Sequence, residues 1–303
     1  LSAGILIAGI SPARALTVVL GATDIPKFNQ ATGVIQNIVG TGTANNDIVL
    51  YKNVVTVGGI VVDAAVTTKL NGATITAYDN PGSATTNADN LQFNANVGTA
   101  GGTIGVNISF YEGGTYTGVN TGNQVVLQNV RMSSLDLDAS GSSDFQFSEF
   151  TGFQKYTLNS PTNLVVTNSG NKVRFTGTSN NNNSNIPGDR VLTQFDSMSS
   201  IDVTMGNVKV ASINYFGLSF DTWTTNSMAT TSNPVQYTNT YNTPPTSTNT
   251  SSYVATGTNY VLPRSIFGIY ADVDLNPFNQ VMIKSLPSSG VLQYLNGSTW
   301  TNV

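Results

Sequence analysis

Within Arg131–Phe153, R-M-S-S-L-D-L-D-A-S-G-S-S-D-F-Q-F-S-E-F-T-G-F, four carboxylates sit among neutral polar residues and aromatics: Asp136, Asp138, Asp144 and Glu149. Asp136, Asp138, Ser140 and Gly141 spell D-x-D-x-S-G. Oxygen ligands at alternate positions, followed by a glycine at a sharp turn, suit a hard cation such as Ca²⁺. The pattern departs from an EF-hand in its second half, because the bidentate twelfth position falls on Phe147. Two readings stand: a calcium site in a β-loop held by Asp136, Asp138, Ser140 and Asp144, or an Asx-rich turn between strands.

The rest of the catalytic vocabulary is thin. The 303 residues contain no histidine and no cysteine. That removes the commonest general base, thiol chemistry, zinc and haem ligation, and disulfides. A glycosidase needs two carboxylates facing each other across a bond. Only Glu112 and Glu149 are glutamates, and several aspartates, such as Asp47, Asp79, Asp89 and Asp189, occur beside Asn or Gly in expected turns. Asp189-Arg190, after Pro187-Gly188, reads as a local charged turn, and Lys172 and Arg174 as solvent-facing residues of one strand. No nucleotide or nucleophile-elbow motif occurs in a strand–turn–helix context. The expectation is a protein that is not an enzyme.

Such residues would have to be positioned by strands. Only 9% of the chain is charged, far below the usual quarter of a soluble domain. Asn, Thr, Ser and Gly carry the polarity and Val, Ile and Thr the bulk, a mixture that favours strands joined by turns. Low charge also leaves strand edges unguarded against pairing with other chains. The twelve Lys and Arg are scattered singly against a net charge of −4. Phosphate neutralisation needs grouped cations, so nucleic-acid binding is not expected.

Residues 1–15 read either as the end of a secretory signal peptide, closed by Ala13-Arg14-Ala15, or as a retained apolar strand donated to a neighbouring subunit. They are too short and interrupted for a membrane span. From residue 16 to 224 short apolar or alternating runs recur between Asn, Gly and Pro turns. Ala64–Leu70 alone has room for a short helical turn. The fold expected is all-β, an antiparallel sandwich of jelly-roll type over 16–224, with a second β segment. Residues 225–258 form a Ser/Thr/Asn/Pro tract expected as a linker or long loop, and 259–303 the start of a further β module or terminal assembly strands. Asn107, Asn182, Asn249 and Asn296 open glycosylation sequons. Trp223, Tyr215, Tyr111 and Tyr116 are the candidate sugar-stacking aromatics of a glycan-binding module, whereas Phe145, Phe147, Phe150 and Phe153 read as core anchors.

The runs V-V-L-Q-N-V, L-D-L-D, F-S-E-F-T-G-F-Q-K-Y-T-L, P-T-N-L-V-V-T and V-R-F-T-G together resemble modules of large secreted bacterial surface proteins. Ile283–Gly297, I-K-S-L-P-S-S-G-V-L-Q-Y-L-N-G, resembles the start of cadherin-like tandem repeats of giant bacterial adhesins, where an S-L-P-x-x-G-x-L strand precedes an N-G hairpin. The resemblance implies a cell-surface β-sandwich and brings no catalytic residues with it. Asp272, Asp274 and Asn276, in D-x-D-x-N, resemble the calcium-binding junctions between such repeats, with an Asx/Pro turn as the other reading. The expected role is a secreted structural subunit of a filament, sheath or adhesin that assembles with itself by strand addition. A carbohydrate-binding module is the alternative.

Overall fold

The structure, a computed structural model, describes residues 16–29, 34–78, 89–119, 121–139, 144–169, 172–180, 186–223, 232–240, 261, 291–296 and 299–302. Residues 1–15 therefore lie outside the described part. By contact the chain divides into Leu1–Thr246 with Ala271–Leu275, and Ser247–Tyr270 with Asn276–Val303.

The larger unit holds two eight-stranded sheets. The first runs β16 (Pro234–Thr238), β10 (Lys155–Asn159), β13 (Val191–Met198), β8 (Val125–Leu135), β15 (Ala211–Ser219), β6 (Leu91–Val97), β5 (Ala73–Tyr78). Its eighth strand, β1 (Leu16–Val19), lies parallel to the first half of β8, with Leu16 opposite Val125. The second sheet runs β11 (Leu164–Ser169), β12 (Lys172–Gly177), β9 (Gln146–Phe150), β14 (Ser200–Asn207), β7 (Thr103–Glu112), β4 (Ile60–Asn71), β3 (Ile48–Val57), β2 (Ile35–Val39). All pairings but β1–β8 are antiparallel. The all-β sandwich expected from the sequence is the fold observed.

The period-2 alternation of the strands builds the core. In β7, Ile104, Val106, Ile108 and Phe110 are buried between the sheets while Thr103, Gly105, Asn107 and Ser109 are partly exposed. Aromatic rings fill the middle: Phe28 stacks on Phe220 at 5.1 Å, and Phe150 meets Phe175 edge-on at 6.2 Å. Phe147, Phe150 and Phe153 are buried as expected, and Phe145 is half-buried. A smaller apolar cluster of Ile48, Leu50, Ala65, Tyr111 and Tyr116 forms apart from this core.

Ala64–Leu70 corrects the helical-turn expectation, since it lies within β4. Val62, Ala64 and Val66 pack into the core, and the strand is paired by β3 on one side and β7 on the other. Two full ladders outweigh the weak helical tendency of two alanines beside β-branched residues. The β3–β4 turn is Gly58-Gly59, with φ of 58° and 83°. A two-residue hairpin with both residues left-handed favours glycine.

Aspartates act as turn fasteners. Asp47 Oδ2 accepts the N–H groups of Thr41, Gly42 and Ala44, each at 3.0 Å. Asp63 accepts Asn53 N–H and Gly114 N–H, both at 2.8 Å.

Within the tract expected as a linker or long loop, Pro234–Thr238 forms β16 and extends the first sheet. The smaller unit's described elements are β17 (Gln293–Asn296) and β18 (Thr299–Asn302), an antiparallel hairpin closing with Asn296 opposite Thr299.

Candidate functional site

Beyond Leu135, Asp136 turns the chain with φ of 60°. Leu137 N–H then donates to Asp189 O at 2.8 Å, and Ala139 N–H to Ser179 O at 3.0 Å. The approach is close enough that a Cβ on Gly177 would fall 2.1 Å from Leu137 O. Only glycine admits this crossing, and it sets the position of Asp138. Asp138 is buried, and its carbonyl accepts Gln146 N–H at 2.8 Å, closing the loop. Asp144 O accepts the Asn207 side-chain amide at 2.6 Å. Asp189 Oδ1 accepts Asn163 Nδ2 at 2.9 Å and Ser179 Oγ at 2.6 Å. Burial, with the neighbouring Asp189 carboxylate, pushes the Asp136 carboxyl up to about 6. Ser140, Asp272, Asp274 and Asn276 lie outside the described residues. Among the described residues no three acidic side chains are grouped closely enough to hold a metal ion.

The Asp189-Arg190 pair is not an exposed charged turn. A single 3₁₀ turn, Pro187–Asp189, delivers both side chains into the interior, where they are 1% and 2% exposed. Arg190 Nε and Nη2 donate to Ser133 Oγ at 3.0 and 2.7 Å, and Nη2 reaches Thr222 O at 3.3 Å. Its guanidinium lies 5.3 Å from the Trp223 ring centroid. Burial lowers the Arg190 pKa to about 10, and Asp221 opposes that shift. Arg190 thus ties the start of β13 to β8 and to the segment after β15. Its partners lie 57 and 32 residues away, so no local pattern announces the cluster.

The structure changes the reading of the aromatics. Trp223, Tyr111 and Tyr116 are buried and Tyr215 is half-buried, so three of the four offer no open face to a sugar. Tyr111 and Tyr116 face each other at 4.6 Å, and desolvation raises both hydroxyl pKa values. Among the described residues Tyr237 of β16 is an open aromatic, 41% exposed and stacked on Tyr156 at 5.2 Å. Lys172 and Arg174 are half-buried, not solvent-facing. Arg174 Nε and Nη2 reach Glu149 Oε1 at 2.8 and 2.6 Å, and Lys172 Nζ lies 3.7 Å from Oε2.

Among the described residues, two kinds of surface feature stand open. One is a groove of about 350 Å³ between Leu20–Ala22, the β8 segment Asn129–Arg131 and the β13 segment Gln194–Asp196. The other is the set of sheet edges. The outermost strands, P-V-Q-Y-T in β16, A-T-I-T-A-Y in β5, L-V-V-T-N-S in β11 and I-Q-N-I-V in β2, contain no charged residue. Bulges interrupt β5 between Ile75 and Ala77 and β2 between Asn37 and Val39. β16 and β11 pair without a break. They lie on the same side of the sandwich, because their neighbours β10 and β12 meet through Tyr156 and Phe175 at 5.3 Å. Bulges are one way to blunt an edge and charges another. The β16/β11 side has neither.

No protein-family model matches the chain, and no curated protein matches it. Among solved structures it is similar to the N-terminal domain of the Streptococcus gordonii adhesin Sgo0707, with a TM-score of 0.40 and 13% sequence identity over 66% of this chain and 61% of that one. It is also similar to the adhesin domain of PrgB from Enterococcus faecalis, a structure bound to DNA, with a TM-score of 0.37 and 10% identity over 59% of this chain and 69% of that one. The chain thus spans less than two thirds of the first of these proteins.

Proposed function

We propose that this chain is a structural module of an extracellular assembly, a filament, sheath or adhesin at a cell surface, whose copies join by strand addition at sheet edges. The observation that carries the reading is the β16 edge: all five residues are exposed, none is charged, and no described strand lies on its outer side. An edge of this kind offers main-chain hydrogen bonds for strength and alternating side chains for register. A chain with so few charges has little electrostatic repulsion to oppose association.

The test is sedimentation of the purified protein across a range of concentrations. The native chain is expected to assemble. The double substitution Val235→Lys and Tyr237→Lys, which places charges on the edge, is expected to raise the concentration needed by about ten-fold or more. Its melting temperature should fall only slightly, because both positions are exposed and the loss is chiefly the Tyr156–Tyr237 stack. A native chain that remains monomeric and is retained on a polysaccharide resin would instead support the second reading, a carbohydrate-binding module. The groove favours that reading, since Asn129, Arg131, Gln194 and Asp196 offer planar donors and acceptors for hydroxyl pairs.

Calcium belongs to the same proposal, held by Asp136, Asp138, Ser140 and Asp144 in the loop after β8 and by Asp272, Asp274 and Asn276 in the D-x-D-x-N run. Calorimetric titration of chelator-treated protein is expected to show saturable calcium binding that Asp138→Asn weakens. Absence of binding at millimolar calcium would leave these residues as turn fasteners like Asp47.

A further inference from the structure

Resting on the strand-addition reading, the partner, symmetry and register at one edge can be derived from the backbone of β16. Ser160 N–H donates to Asn233 O at 2.8 Å, and Asn239 N–H to Gln154 O at 2.8 Å. Between these two bonds the register runs from Asn159 opposite Pro234 to Lys155 opposite Thr238. In an antiparallel pair, hydrogen-bonded positions alternate. Val235 and Tyr237 therefore turn their backbone polar groups towards β10, and Pro234, Gln236 and Thr238 turn theirs to the open side. Pro234 has no N–H to leave unpaired, which suits a proline on an edge. The open side then presents the N–H groups of Gln236 and Thr238 and the carbonyls of Pro234, Gln236 and Thr238.

We infer that a second copy of this chain pairs here, β16 against β16, antiparallel about a two-fold axis passing beside Gln236. In that register Gln236 faces its own counterpart, and the two exchange a pair of N–H···O=C bonds. Each Thr238 N–H meets the Pro234 carbonyl of the other copy. Every free backbone donor of the edge is matched by the same sequence running the other way. Val235 of each copy faces Tyr237 of the other, the β-branched–aromatic pairing that stabilises antiparallel strands. No like charges meet across the axis, because the strand carries none. The other strands that end the two sheet orders are less suited. β2 and β5 are broken by bulges, and on β11 the Leu164 N–H is already taken by Thr162 Oγ1 at 3.2 Å.

The chain has no cysteine, so Gln236→Cys introduces a single thiol. Hydrogen-bonded antiparallel partners lie about 5.5 Å apart at Cα, inside the roughly 4.4–6.8 Å span of a disulfide. Under oxidised glutathione, Gln236→Cys is expected to form a covalent dimer about ten-fold faster or more than Thr74→Cys on β5, since pairing raises the local thiol concentration. Circular dichroism of both variants checks that each keeps its fold. If the native chain sediments as an assembly while the two variants cross-link equally slowly, the β16 two-fold pairing is overturned and strand addition at another edge stands. If the native chain is monomeric at every concentration and Gln236→Cys does not cross-link, both fall.

Discussion

Arg190→Ala is expected to destabilise the sandwich by about 2–5 kcal/mol, the range for truncating a large buried side chain. Three losses coincide. Asp221, 7% exposed, would lose the electrostatic support of the guanidinium. Ser133 Oγ would lose two donors. The Trp223 face would lose the guanidinium lying over it and border a cavity. Arg190→Met should lose less, because it fills most of the volume. Combining it with Asp221→Asn should change stability by less than the sum of the two single changes, since the two side chains interact electrostatically. Urea unfolding at neutral pH measures all three variants. A loss under about 1 kcal/mol for Arg190→Ala would mean that water enters the cluster and replaces the side chain's hydrogen bonds.

Asp136 should make stability depend on pH in the sense opposite to an ion-paired carboxylate. Its carboxyl is held up to about 6 against an ordinary value of 3.8, first by burial and then by Asp189. The folded state therefore binds this proton more tightly than the unfolded chain. Below about pH 4 both states are protonated and the full stability is present. As pH rises through 6 the proton is lost from the folded state as well, and about 2–3 kcal/mol of stability goes with it. Asp136→Asn keeps a neutral side chain throughout. Relative to the native protein it should gain stability between pH 4 and 6 and hold that gain, about 2 kcal/mol, at pH 7. Urea midpoints of the two proteins across this range give the difference curve, and a flat curve would mean that the Asp136 carboxyl is well solvated. A calcium ion on Asp136 would hold it ionised and flatten the slope, so the comparison is made in chelator.

The all-β character was legible because it rests on local chemistry. β-branched and aromatic residues alternate with polar ones over five to ten positions, and glycine pairs such as Gly58-Gly59 mark the hairpins. Phe147, Phe150 and Phe153 could be placed in the interior from pattern alone. Ala64–Leu70 misled locally because its two alanines carry no strand signal, and the neighbouring ladders decide its conformation. The exposed fate expected of Lys172 and Arg174 failed for a related reason: Glu149, which pairs with both, lies 25 residues from Arg174.

The candidate site divides in the same way. Asp136 and Asp138 stood out by spacing, yet the close approach at Gly177 and the Asp189 carboxylate that shape them come from a distant part of the chain. Trp223 and the tyrosine pair were visible as large aromatics. Whether an aromatic meets a sugar or a neighbour depends on what folds over it, and Arg190 covers Trp223. Composition alone established a strand-rich chain with no histidine or thiol chemistry and few charges to protect its edges. Only the tertiary structure decided which strands became edges and which backbone groups of β16 face outwards. Strand propensity is a property of neighbouring residues, whereas a sheet's edge is defined by the absence of a partner, which only the complete pairing order reveals.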